Sequence, residues 1–197
     1  MPFFWSAGPR LRRLIAISAI AASVLGAVSA SVLAVPGLPG VLGAGLATVM
    51  IAIAVVDARH FIIPDPLILA GLGLGFVNSW VANSEFGLAA IASSALRGLV
   101  FALAFLGLRE LYLRIRKREG IGLGDVKLAA VAGVWLDSLT IALVVDVAAL
   151  GALAVVAIRA LQGQQITGKT PVPFGLFFGP AIWLGWFVDV SILQKVF

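Results

Sequence analysis

The chain contains no cysteine, which excludes disulfides, thiol catalysis and thiolate zinc sites. It has one histidine, His60, and no His-Glu-x-x-His motif, so a zinc metalloprotease has no ligand set. A serine nucleophile would need a base, and His60 lies in a loop without a recognisable partner. With Asp57 or Asp65 it makes only a poor metal cluster. No metal and no cofactor is expected. Charge is scarce as well. Of 197 residues, 12% are charged and 61% hydrophobic, with a mean hydropathy of +1.12. A soluble domain of this length needs more polar surface to cover its core. The net charge is +5, yet the basic residues gather in short loops between apolar runs. That is a pattern of membrane topology, not of a nucleic-acid surface.

What is present is a series of apolar runs, several longer than the roughly 18 residues that read as membrane-spanning. The expected fold class is all-α: a polytopic membrane helical bundle of about six to seven transmembrane segments, with residues 1–197 as one integral membrane domain in contact with lipid. Arg10, Arg12 and Arg13 precede a first run from Leu14 to about Val35. It is too long for the ~7–15-residue core of a signal peptide and reads as a retained span. Pro36 to Gly40 form a turn. Further spans cover about Val41–Val56, Leu67–Val81 and Gly87–Leu113. One helix from Val126 to Ile158 would be about 50 Å long, against a ~30 Å hydrocarbon core. A break is therefore expected near Asp137 and Ser138, leaving a short fifth helix before a sixth span from about Leu139. The last span runs from about Phe174 to Val190. Basic residues fall in every second connection, which puts the N-terminus in the cytoplasm of a multi-pass protein of the cytoplasmic (inner) membrane. Gly71 and Gly75 form a small-xxx-small pair suited to close helix packing.

This topology converts sequence into depth. Asp57 ends the second span and Asp125 begins the fifth, both on the inner side. Asp125 closes the run Gly122-Leu123-Gly124-Asp125. Two carboxylates at one level, one in a glycine turn, suggest a dyad that shares a proton, as in aspartyl proteases. The glycines would let a substrate backbone approach closely. The plainer reading is that both acids are interfacial residues flanking helices. Arg97 and Asp146 also match in depth, about 12–15 Å below the outer surface. Because intramembrane charges usually pair, an Arg97–Asp146 contact is expected. Lys127 points to a different helix face from Asp125 and is expected to snorkel to headgroups or, in the turn, to meet the carboxyl end of another segment. Residues 163–170 satisfy the P-loop pattern in full. However, they follow an apolar span, and Pro171 and Pro173 stand where the phosphate-cradling helix should run. No nucleotide binding is expected.

These residues resemble the type IV prepilin peptidases, membrane aspartyl proteases that trim leader peptides from pilin-like subunits. The stretch from Asp57 through Pro64 and Asp65 is similar to that family's first acid block. Gly122, Gly124, Asp125, Lys127 and Leu128 are similar to its second, Gly-x-Gly-Asp-x-Lys-Leu. Pro173-Phe174-Gly175 is similar to its late Pro-Phe-Gly-Pro segment, with Leu176 in place of the usual proline. The likeness covers about 51–182. Presenilin-type proteases share Gly-x-Gly-Asp, but their tyrosine before the first acid and their Pro-Ala-Leu motif are missing here. The resemblance implies that Asp57 and Asp125 are catalytic and that the substrate is a pilin-like precursor cut at the cytoplasmic face. Bifunctional members carry a cytoplasmic domain near the N-terminus, often with paired cysteines, linked to methylation. This chain has no cysteine and a five-residue turn between its first two spans, so cleavage without N-methylation is expected. The rival reading is a non-enzymatic transporter or assembly factor that uses its intramembrane acids in ion coupling.

Overall fold

The computed structural model describes residues 9–118, 120–163 and 172–193. Seven α-helices occur among them: α1 (Pro9–Ala34), α2 (Leu38–His60), α3 (Asp65–Ala82), α4 (Leu88–Arg116), α5 (Leu123–Trp135), α6 (Ser138–Leu161) and α7 (Gly175–Val188). A single π turn, Asp189–Leu193, continues α7. Five helices, α1 to α4 and α6, are long and apolar enough to cross a membrane. α5 has 13 residues and α7 has 14, so α5 covers only about 20 Å. Of the P-loop-like stretch 163–170, all but Gly163 lies outside the described residues.

The connections follow from local chemistry. Pro39 lies in the first turn of α2, where its missing N–H is one of the orphans anyway. Phe61 closes α2 in the left-handed region, φ 54°, and donates its N–H to the Asp57 carbonyl at 2.9 Å. Pro64, extended at φ −68°, precedes α3. The break between α5 and α6 falls at Asp137, which caps α6. Its Oδ1 accepts from the N–H groups of Leu139 and Thr140 at 2.8 and 3.0 Å, and its Oδ2 from the Thr140 hydroxyl at 2.7 Å.

α2 packs on α1, α3 and α7, and α7 carries α6. α5 packs most extensively on α4 and also touches α3 and α7. The result is two arms: α1, α2, α7 and α6 on one side, α3, α5 and α4 on the other. Small residues set the spacing. A Cβ on Gly133 would meet the Cα of Gly98 at 2.6 Å, so α4 and α5 cross backbone to backbone. Gly71 and Gly75 face Val131, Val134 and Trp135 of α5. The Trp135 indole donates to the Gly71 carbonyl at 2.8 Å, a buried polar group satisfied across the interface. Trp135 and Trp186 meet edge to face, 6.1 Å apart, at the centre of the core.

Burial alone would push the Asp137 carboxyl up. The donors of Thr140 and Leu139 outweigh it and hold the group below its ordinary range. Asp137→Ala is expected to destabilise the protein by about 1 kcal/mol, read as a fall in Tm. Since the folded state holds the proton more weakly, the cap's contribution is complete above the unfolded carboxylate value of ~3.9 and is lost as pH falls from there. The Tm difference between wild type and Asp137→Ala should shrink over that window.

Candidate active site

Asp57 sits in the last turn of α2 and is 6% exposed. A carboxylate this far from water needs donors. The start of α7 supplies them: the Leu176 N–H donates to Asp57 Oδ2 at 3.1 Å, with the Gly175 N–H beside it. The positive end of the α7 dipole therefore points at the acid. Gly175 is required for that approach. A Cβ there would lie 2.9 Å from Asp57 Oδ2 and 3.0 Å from Ile63 Cδ1.

Asp125 occupies the first turn of α5. Its Oδ2 accepts the Gly122 N–H at 3.2 Å, reaching back to an orphan donor at the helix start. Gly124 lies flat against Ile63, with a hypothetical Cβ 3.0 Å from the Ile63 Cβ. Ile63 thus wedges between the glycine of α5 and the glycine of α7, and holds the acid-bearing ends of α2 and α5 in register. The two carboxylates are close enough to interact electrostatically.

Both acids line the same two cavities. One, of about 600 Å³, is bounded by the α2–α3 connection from Phe61 to Pro66 and by the start of α5. The other, of about 960 Å³, opens between α4 and α6. Pro64, Asp65, Gly122, Gly124 and Lys127 border the first; Gly122 and Pro173 border the second. Lys127 pairs with the Asp65 side chain at the amino end of α3, neither with headgroups nor with the carboxyl end of another segment. The pair is partly exposed and is worth little by itself, but it joins the two acid-bearing stretches a second time.

Sequence reasoning missed three contributors. Ile63 and Leu176 act through backbone approach, which side-chain type does not disclose. Tyr112 covers Gly120, where a Cβ would meet its ring at 2.4 Å.

The structure does not join Arg97 to Asp146. The Arg97 Nε donates to the carbonyls of Gly133 and Leu136, both at 3.3 Å, at the end of α5. Depth was matched, but α5 crosses α4 at that level, so its terminal carbonyls reach Arg97 first. Asp146 is exposed midway along α6 and has no hydrogen bond or ion pair among the described residues. An unpaired acid within a span costs up to about 3 kcal/mol. Asp146→Leu is therefore expected to keep or raise Tm in lipid or detergent. A fall of several degrees would mean that the acid has a structural partner after all.

Comparison with known proteins gives the site a context. The family model described as "Type IV leader peptidase family" matches residues 44–158. The "Prepilin leader peptidase/N-methyltransferase" of Pseudomonas aeruginosa is 33% identical over 136 residues, 68% of this chain and 45% of that protein. The protein of the same description from Burkholderia pseudomallei strain K96243 is 34% identical over 172 residues, 81% of this chain and 54% of its own length. "Leader peptidase HopD" of Escherichia coli is 32% identical over 131 residues, 66% of this chain and 82% of HopD. The chain thus spans about half the length of the first two relatives and most of the third. No solved structure matches it significantly. With its Gly-x-Gly-Asp helix start, its two acids lining shared cavities and these matches, the chain belongs to the type IV leader peptidase family.

Proposed function

We propose that this protein is a membrane aspartyl endopeptidase that removes the basic leader from pilin-like precursors at the cytoplasmic face of the inner membrane. The observation that carries this reading is the meeting of Asp57 and Asp125, from distant stretches of the chain, on the walls of one cavity. The relatives named as leader peptidases support the same substrate class.

The chemistry follows from the geometry. Two nearby carboxylates share one proton, since both cannot ionise cheaply. The ionised one takes a proton from an attacking water. The protonated one polarises the scissile carbonyl and then supplies the amine's proton as the C–N bond breaks. The titrations are coupled, so the two roles belong to the pair. The Gly122 to Gly124 turn leaves space beside Asp125 for an extended peptide.

Methylation is not part of the proposal. The relatives named for both activities match over about half their length. In this chain α1 ends at Ala34 and α2 begins at Leu38, with no room between for a domain. The basic residues near the acids and the positive-inside pattern support a cytoplasmic side for the cavity and the N-terminus.

The test is cleavage of a pilin-like precursor by the reconstituted protein. Asp57→Asn and Asp125→Asn are each expected to lower the rate about a hundred- to ten-thousandfold with Tm retained. Wild-type cleavage by a folded variant would favour the ion-coupling rival. The same product, incubated with a labelled methyl donor, should remain unmethylated.

Gly175→Ala should act at the junction of Asp57 and Ile63. The added methyl must displace the carboxylate or Ile63, so cleavage should fall at least about tenfold, in line with the cost of an ångström-scale misplacement, while the helical circular dichroism signal is unchanged.

A further inference from the structure

We propose that Phe61 is a specificity-determining wall of the cleavage site, the surface against which the leader residue just before the scissile bond lies. This rests on the peptidase reading above and adds the side chain that selects the sequence to be cut.

Phe61 is strained where it stands. At φ 54° and ψ 35° it occupies the left-handed region, where a Cβ crowds the backbone and glycine or asparagine is usual at a helix end. Among the described residues, Lys117, which closes α4 at φ 52°, is the one other non-glycine residue with a positive φ. Lys117 is exposed and lines neither of the two cavities beside the acids. A flexible lysine in solvent suits a plain helix end. A phenylalanine suits it less, because a large apolar ring is favoured by burial. Phe61 is 51% exposed, so core packing does not account for the ring.

Its position beside the acids does. Four residues line both cavities: Asp57, Asp125, Gly122 and Phe61. Two are the acids, and one is a glycine of the turn before α5. Phe61 supplies the one apolar side chain common to both cavities. Its N–H closes the last turn of α2 on the Asp57 carbonyl at 2.9 Å, so ring and acid are fixed within one turn. A peptide that reaches the two carboxyls from either cavity passes this ring.

Chain direction assigns the peptide residue that the ring meets. α2 runs down to the acids and ends at His60, whereas α5 starts at them and runs back into the bundle. Phe61 therefore lies past Asp57, at the end of the bundle away from the spans. A precursor held among lipid by its apolar stem has its leader on that side of the acids. One helical turn, ~5.4 Å, equals between one and two residues of extended chain. The ring thus stands beside the last leader residue. It takes no part in proton transfer. A bulky residue there would meet the ring and lift the scissile carbonyl away from the acids, whereas a small one would not.

The test compares two precursors that differ only in the residue before the scissile bond: one keeps its own residue, the other carries tryptophan. The readout is the ratio of kcat/KM for the tryptophan precursor to that for the unaltered one. Phe61→Gly removes the ring and relaxes the backbone, so this ratio should rise at least about tenfold while Tm is kept or raised. Lys117→Gly makes the same backbone change away from both cavities and should leave the ratio as it is. Phe61→Asn, which also enters the left-handed region, carries the test if Phe61→Gly loosens the end of α2. Phe61→Tyr should keep the wild-type ratio. A ratio unchanged in Phe61→Gly and Phe61→Asn, or an equal loss on both precursors, overturns the wall. A ring that only ends α2 or steadies Asp57 would act on every substrate alike. A response to bulk placed after the bond, with none to bulk before it, overturns it as well. These outcomes leave the peptidase reading standing; that reading falls if a folded Asp125→Asn chain cleaves at the wild-type rate.

Discussion

A carboxylate that is 6% exposed at the end of a membrane helix is the constraint on which the site depends. Asp57 can hold charge there only if backbone donors replace water. The first turn of α7 is the nearest source, and its N–H groups can reach the acid only because residue 175 has no side chain. The last helix is therefore placed by a polar requirement as much as by packing. Phe177 and Gly185 of α7, against Gly151, Val144 and Thr140, then bring α6 alongside. The donor at Leu176 has a further consequence. The resembling family segment carries proline at this point, and proline has no N–H to give. Asp57 in this chain thus has a hydrogen bond that the usual segment cannot make.

The second acid is held differently. Asp125 satisfies its own helix start through Gly122, and its position relative to Asp57 comes from Ile63, pressed between Gly124 and Gly175. A side chain at either glycine would separate the acids by pushing on the same isoleucine. The glycines in these motifs are spacing elements between helix ends, and their freedom of φ is secondary: neither Gly124 nor Gly175 has a positive φ. The Lys127–Asp65 pair adds a weak lateral tie at the exposed edge of the same junction.

Most of the architecture was legible because membrane insertion leaves a strong trace in sequence. Apolar run length located the long helices, and the alternation of basic loops required the break at Asp137, where the cap is found. The two acids could be assigned one depth for the same reason. What could not be read was azimuth, the direction a residue faces around its helix. Arg97 and Asp146 agree in depth, yet Arg97 turns to the α5 carbonyls and Asp146 faces outward. Backbone partners were equally hidden, since the donation from Leu176 does not depend on its being leucine.

The fifth helix is short, and its length has a structural consequence. A fifth helix as long as α4 would run down between α4 and α6 and fill the space that now opens onto both acids. It would also carry Asp125 past the end of α2, out of reach of Asp57. Instead α5 starts at a glycine turn, and its neighbours project beyond it. The truncation gives two carboxylates a common wall and leaves that wall open between α4 and α6.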